Sequence, residues 1–106
     1  MTSANVRVRE DVPGQVLVHL EGEIDLDNAR TVEQQLAAAV TNKAVSVSLD
    51  CTEVEYLDSA GLRVLFALAD RLALLQVRLE MTVPAGSPIR KAVELSGLGS
   101  VVDLHR

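Results

Sequence analysis

One short run in this sequence combines residue types that chemistry can use. Asp58-Ser59-Ala60-Gly61 joins a carboxylate and a hydroxyl to two small residues, and the hydrophobic period changes across it. Before it, Val45, Val47 and Leu49 alternate as in a half-buried strand; after it, Leu62, Leu65, Phe66 and Ala69 recur at helical spacing. Such a strand-to-helix junction offers backbone N–H groups and the positive end of a helix dipole to an anion. Ser59 has three conceivable roles. As a helix cap it would accept a backbone N–H bond worth on the order of 1 kcal/mol. As a nucleophile it is poorly served: Leu57 rather than glycine stands two residues before it, so Gly-x-Ser-x-Gly is not met, and nothing ties His19 or His105 to it. As a phosphoacceptor it is well placed, because a helix N-terminus tolerates an added anion. Phosphate would bring about −1.5 to −2 charges beside Asp58. Two unit charges about 4 Å apart repel by about 1 to 4 kcal/mol, enough to change a partner's affinity about tenfold or more.

The remaining candidates divide similarly. Asp25 and Asp58 each follow a strand, and if those strands are neighbours the two carboxylates gather at one end of a sheet beside Ser59; otherwise they are independent solvated caps. A paired acid–base role lacks pocket-forming aromatics and metal-ligand spacing. Cys51 has no partner histidine in sequence reach and reads as a small core residue at a strand end. Gly61 alone is no phosphate-loop fingerprint.

Composition narrows the function classes. The chain has 106 residues, 48% of them hydrophobic, and reads as one domain over residues 1–106. Its net charge of −5, with ten scattered Lys and Arg residues, one Tyr, one Phe and no Trp, argues against nucleic acid as a partner. No apolar run reaches the roughly 18 residues of a membrane span. Met1-Thr2-Ser3-Ala4-Asn5 has no signal-peptide pattern, so a cytoplasmic location is the expectation. The single cysteine rules out an internal disulfide and a thiolate metal cluster. A protein partner fits best.

The elements that must position the junction follow from periodicity. Val6 and Val8, then Val16, Val18 and Leu20, alternate around the turn signal Pro13-Gly14 and predict a hairpin. Gly22 is expected to break the second strand, leaving Glu23-Ile24-Asp25-Leu26 as an acidic exit. Asp27 or Asn28 can cap a first helix whose stripe is Ala29, Val32, Leu36 and Val40, ending at Thr41-Asn42-Lys43. A strand from Ala44 to Cys51 follows, then the central helix from about Gly61 to Ala73, burying Leu62, Leu65, Phe66, Ala69, Leu72 and Ala73. Val77, Leu79, Met81 and Val83 form another strand. Ser87-Pro88 starts a helix that buries Ile89, Ala92 and Val93 and ends at Gly97. Val101, Val102 and Leu104 close the chain as a short strand. The order is β-β-α-β-α-β-α-β. Strands separated by helices call for parallel pairing through right-handed crossovers, and their alternating polar residues place the helices mainly on one face.

With these residues assembled, the chain resembles the STAS domains of the bacterial anti-sigma factor antagonist (anti-anti-sigma factor) family. Leu20-Glu21-Gly22-Glu23-Ile24-Asp25 resembles the family's Gly-Glu-Leu/Ile-Asp element. Leu57-Asp58-Ser59-Ala60-Gly61-Leu62 is similar to its Asp-Ser-Ser/Ala-Gly-Leu phosphorylation motif. Ser87-Pro88 through Leu95-Ser96-Gly97-Leu98 is similar to its closing helix. The resemblance implies a STAS-like α/β domain with a mixed sheet of about five strands. It also implies a non-enzymatic switch without a cofactor. The unphosphorylated protein would bind an anti-sigma factor that is also a serine kinase with an ATP-binding histidine-kinase-like fold, freeing sigma factor. Phosphorylation of Ser59 would end binding, and a PP2C-type phosphatase would restore it. Asp25, Asp58, Ser59, Ala60, Gly61, Leu62 and Arg63 are the partner-binding residues this implies, on a monomer or weak dimer. The other role found among STAS domains is that of a scaffold or subunit of a stressosome or phospholipid-transport complex. One departure is the turn after the central helix, where Leu74-Leu75-Gln76 stands in place of a glycine-containing turn; a tighter turn or a longer helix is expected.

Overall fold

The computed structural model describes residues 2–106. A single sheet runs in the order β1-β2-β3-β4-β5: β1 (Ala4–Val12), β2 (Gln15–Ile24), β3 (Ser46–Leu57), β4 (Arg78–Thr82) and β5 (Asp103–His105). The β1–β2 hairpin is antiparallel and turns at Pro13-Gly14; the other neighbours pair parallel. α1 (Ala29–Ala39), α2 (Ser59–Leu74) and α3 (Arg90–Ser96) make the three crossovers between consecutive parallel strands. Right-handed crossovers that all step the same way along a sheet deliver their helices to the same face. The predicted element order and one-sided cover are therefore met.

Alternation decides which side chains lie under the helices. Val16, Val18, Leu20 and Ile24 of β2, Val47, Leu49 and Cys51 of β3, and Leu79 and Met81 of β4 are buried with Val32, Leu36, Leu65, Leu72 and Val93 in one core. The opposite face carries Leu17, His19, Ser48, Asp50 and Glu80, exposed or half-buried. No helix among the described residues is long and apolar enough to cross a membrane.

Several expectations are corrected. β2 runs through Gly22, which adopts φ +99 and where a Cβ would lie 2.4 Å from Ser3 O, so both backbone conformation and space require glycine, and Ile24 is fully buried rather than part of an exit loop. β3 begins at Ser46, leaving Val45 exposed, and continues six residues past Cys51 to Leu57. The pairing His19↔Asp50, Glu21↔Glu53, Gly22↔Val54, Glu23↔Tyr56 shows why the period was lost: β3 carries one extra residue at each of two slips against β2. Bulges advance the buried positions from Cys51 to Val54 to Leu57, so alternation disappears while the strand persists. Cys51 consequently sits mid-strand, and its burial pushes the thiol up to about 12.

The central helix starts at Ser59 and buries Ala60, Gly61, Val64, Leu65, Leu68, Ala69 and Leu72; Leu62 and Phe66 are half-buried and Ala73 is exposed. The buried arc is turned because α2 covers the sheet and α1 together, with Val64 and Leu68 beside Leu36. α3 begins at Arg90 after a turn in which the Ser87 hydroxyl accepts from the Ile89 N–H at 3.2 Å; Ala92 is half-buried. Gly97 terminates that helix at φ 85, as expected. Val101 is exposed, ahead of a final strand that starts only at Asp103.

The turn after α2 settles the departure from the usual glycine. The Val77 N–H donates to Leu72 O at 2.9 Å and the Gln76 N–H to Ala73 O at 3.1 Å. This is a Schellman closure, with Gln76 at φ 58 in the place glycine prefers. The left-handed conformation costs a non-glycine residue about 1 to 2 kcal/mol. Gln76→Gly is therefore expected to raise unfolding free energy by about 1 kcal/mol net of the glycine's greater unfolded-state entropy. Urea denaturation with an unchanged slope and a higher midpoint is the expected result.

Candidate functional site

β2 and β3 end together, with Ile24 paired to Leu57, so the two strands release Asp25 and Asp58 at the same end of the sheet. The joint reading of these acids as neighbours is the one the fold adopts. They do different work. The Asp58 N–H donates to Ile24 O at 3.2 Å. Its carboxylate accepts from the Gly61 N–H at 3.0 Å, capping α2, and from the Leu26 N–H at 3.2 Å. Asp25 instead organises its own loop. Its carboxylate accepts from Thr2 Oγ1 at 2.6 Å and from the Asp27 N–H at 2.9 Å. Its N–H donates to Asn28 Oδ1 at 3.0 Å, and Asn28 Nδ2 donates to Glu23 O at 2.8 Å. Asn28 thus spends its side chain bracing the loop and gives none to the start of α1.

The capping reading of Ser59 is overturned. Asp58 is the cap, and Ser59 is the first helical residue, exposed, its hydroxyl in none of the side-chain hydrogen bonds among the described residues. Ala60 and Gly61 are buried and seat the first turn. A Cβ on Gly61 would lie 2.8 Å from Ile24 O and 3.0 Å from Leu57 Cδ2, so the glycine permits α2 to start directly against β2. Leu62 is half-buried and Arg63 exposed. The free hydroxyl and the guanidinium are therefore the outward-facing groups of this turn.

A groove of about 390 Å³ opens beside Ser59 between α1 and α2. Leu26, Arg30, Glu33, Ala60, Arg63 and Val64 line it, and Leu26 is 79% exposed. Sequence reasoning passed over Leu26, Arg30 and Thr2 as site residues and read Asn28 only as a possible cap of α1. The signal available for Leu26 was an apolar residue between two acids in a loop, where burial has no periodic pattern to reveal it.

His19 lies elsewhere, on the helix-free face, with Nδ1 3.5 Å from Asp50 Oδ2 and Nε2 3.7 Å from Glu21 Oε2. A broader depression of about 760 Å³ surrounds it, lined by Arg7, Arg9, Leu17, Ser48 and Asp50. Partial burial pushes the Asp50 carboxyl up, but hydrogen bonds from Thr52 and the nearby His19 outweigh it and the net shift is downward. No hydrogen bond among the described residues links either histidine to Ser59.

The STAS domain family model matches residues 3–106. The chain belongs to the STAS family. BtrV of Bordetella bronchiseptica is 33% identical over 93 residues, spanning 87% of this chain and 78% of BtrV. The anti-sigma-F factor antagonist RsfB of Mycobacterium tuberculosis is 31% identical over 88 residues, or 83% and 70% of the two chains. The crystal structure of an anti-sigma factor antagonist from Mycobacterium paratuberculosis superposes with TM-score 0.77 at 31% identity, over 97% of this STAS chain and 86% of that one. At the level of fold alone, the Bacillus cell fate determinant SpoIIAA in its phosphorylated form matches with TM-score 0.70 at 17% identity, over 96% and 92%.

Two outcomes follow from the junction. Gly61→Ala would gain about 1 kcal/mol of helix propensity, but a methyl pressed on the backbone oxygen of a paired strand costs about 1 to 3 kcal/mol. Net destabilisation in chemical denaturation is expected, with loss of the tight α2 start in amide chemical shifts. The second outcome concerns pH. The Thr2 hydroxyl foremost, opposed by partial desolvation and helped by the Asp27 N–H, holds the Asp25 carboxyl below its ordinary range. A depressed folded-state value stabilises above the unfolded pKa and is lost as pH falls through the folded one. Thr2→Val is expected to raise the Asp25 pKa, read by carboxyl carbon NMR, and to move this acid loss to higher pH.

Proposed function

We propose that this STAS domain is an anti-sigma factor antagonist switched by phosphorylation of Ser59. The observation that carries the reading is the exposed, unengaged Ser59 hydroxyl at the first position of α2, free because Asp58 does the capping. Relatives above 30% identity that carry the name anti-sigma factor antagonist support the general role. SpoIIAA, alike in fold, is known in unphosphorylated and phosphorylated forms.

In this reading the unmodified domain binds an anti-sigma factor that is also a serine kinase, and sigma factor is released. The kinase transfers the γ-phosphoryl of ATP to Ser59 Oγ. The new O–P bond forms as the bond to the ADP leaving group breaks, and the hydroxyl proton passes to a base on the kinase. The domain supplies acceptor and docking surface while the partner supplies the catalysis. A phosphate at the first helical position leaves the core untouched and adds about −1.5 to −2 charges to the surface. A PP2C-type phosphatase reverses the step. Asp25 and Asp58 shape the contact by fixing the loop and helix start, and Leu26 gives it an apolar anchor. The pathway acts in the cytoplasm.

Incubation with the cognate kinase and ATP is expected to add one phosphate at Ser59, read by intact mass and peptide mapping. Ser59→Ala should remain unmodified and keep its kinase affinity. Ser59→Asp should lose about tenfold or more in calorimetry, the equivalent of about 1.4 kcal/mol. Phosphate mapping to another residue, or Ser59→Asp binding as tightly as the parent, would refute the switch.

A further inference from the structure

Arg63 stands one helical turn beyond Ser59 on α2, and both residues are exposed. Side chains of an α-helix lean toward its N-terminus, so the residue at i+4 covers the surface above residue i. An anion at i followed by a cation at i+4 is also the favoured order of such pairs. Among the described residues Arg7, Arg9, Arg78 and Arg90 enter ion pairs, whereas Arg63, Arg30 across the groove, Arg71 and Arg106 do not, and of these four only Arg63 stands four residues after Ser59 on the same helix. Two carboxylates at the junction are occupied, Asp58 by the N–H groups of Gly61 and Leu26 and Asp25 by Thr2 and Asp27, while Glu33, which lines the groove with Arg30 and Arg63, is in no ion pair among the described residues. In a chain of net charge −5, a guanidinium left unpaired at this spacing from a free hydroxyl is placed to receive an anion formed there.

We infer that Arg63 is the built-in counter-ion of phosphorylated Ser59. The inference rests on the reading of Ser59 as the modified residue and concerns how modification is registered. Two guanidinium N–H groups donate to two phosphate oxygens, the planar fork matching the anion as an ammonium would not. Phosphorylation then does more than add charge. It turns the Arg63 side chain back over the first turn and removes one of the two arginines from the groove between α1 and α2. A partner that met a free Arg63 beside an uncharged hydroxyl before modification meets an anion with that arginine drawn onto it afterwards, so one arm of the docking surface is withdrawn.

Phosphoserine installed at position 59 of the full chain during translation makes the test independent of any kinase. Phosphorus NMR then follows the phosphate's second ionisation, ordinarily near pH ~6. Asp58 caps α2 beside Ser59, Arg63 follows on α2, Arg30 and Glu33 of α1 line the groove, and Asp25 and Asp27 stand in the intervening loop, so the comparison is between variants. Arg63→Gln is expected to raise the phosphate's apparent pKa by about half a unit, roughly threefold in its protonation equilibrium. Arg63→Lys should restore part of the difference, and Arg30→Gln should change it by less than about a third as much. No shift in Arg63→Gln, or an equal shift in Arg30→Gln, overturns the counter-ion. A kinase that leaves Ser59 unmodified overturns the switch reading instead, and the phosphorus titration still decides whether Arg63 holds a phosphate at that position.

Discussion

The Asp58 carboxylate is the contact on which the functional end of the molecule depends. It reaches the N–H of Gly61 in its own helix and the N–H of Leu26 in the loop after β2, while its backbone N–H closes on Ile24 O. Three segments meet through one residue. An N-cap bond of this kind is worth about 1 kcal/mol on its own, and a charged acceptor makes it stronger. Its larger consequence is positional. Because the cap is supplied from Asp58, the next residue enters the helix with its side chain free, and the same carboxylate fixes Leu26 beside it. Gly61 completes the arrangement, since any larger residue would press on Ile24 O and push α2 off the strand end.

This explains which parts of the site were legible in the sequence. The change of hydrophobic period located the junction, and the gathering of the acids after β2 and β3 was one of two open readings, decided by the fold because β2 and β3 are parallel neighbours that end side by side. The division of labour between Asp58 and Ser59 was not legible, since both are good caps and only backbone geometry shows which one faces Gly61 N. The groove was illegible for another reason. Leu26, Arg30 and Arg63 come from a loop and two helices, and nothing periodic joins them.

The fold was readable wherever alternation survived and obscured wherever the backbone departed from ideal geometry. The twofold period of β3 ends at Cys51 because bulges shift the buried positions, so half of the longest strand looked like loop. Gly22 resembled a break but is a strand residue over which the start of β1 crosses closely. α2 buries a wider arc than a single-sided helix because it covers both the sheet and α1, which moved Val64 and Leu68 inside and Ala73 out. Gln76 hides a glycine-type turn behind a residue that gives no turn signal.

These departures are unequally distributed, and the distribution bears on regulation. The β2–β3 bulges lie between His19 and Ile24, on the approach to the junction, and set where the two strands let go of Asp25 and Asp58. Beyond that point the loop after β2 and the start of α2 are joined by short polar contacts at the surface, over the buried Ala60 and Gly61. A charge added at Ser59 therefore acts on contacts of similar strength to itself, about a kilocalorie per mole each, without opposing hydrophobic burial many times larger. Core packing would hold the helix and strands in place with or without a phosphate at Ser59. What a partner would sense of the proposed modification is then local: the anion, the carboxylates beside it, and the arginine one turn away.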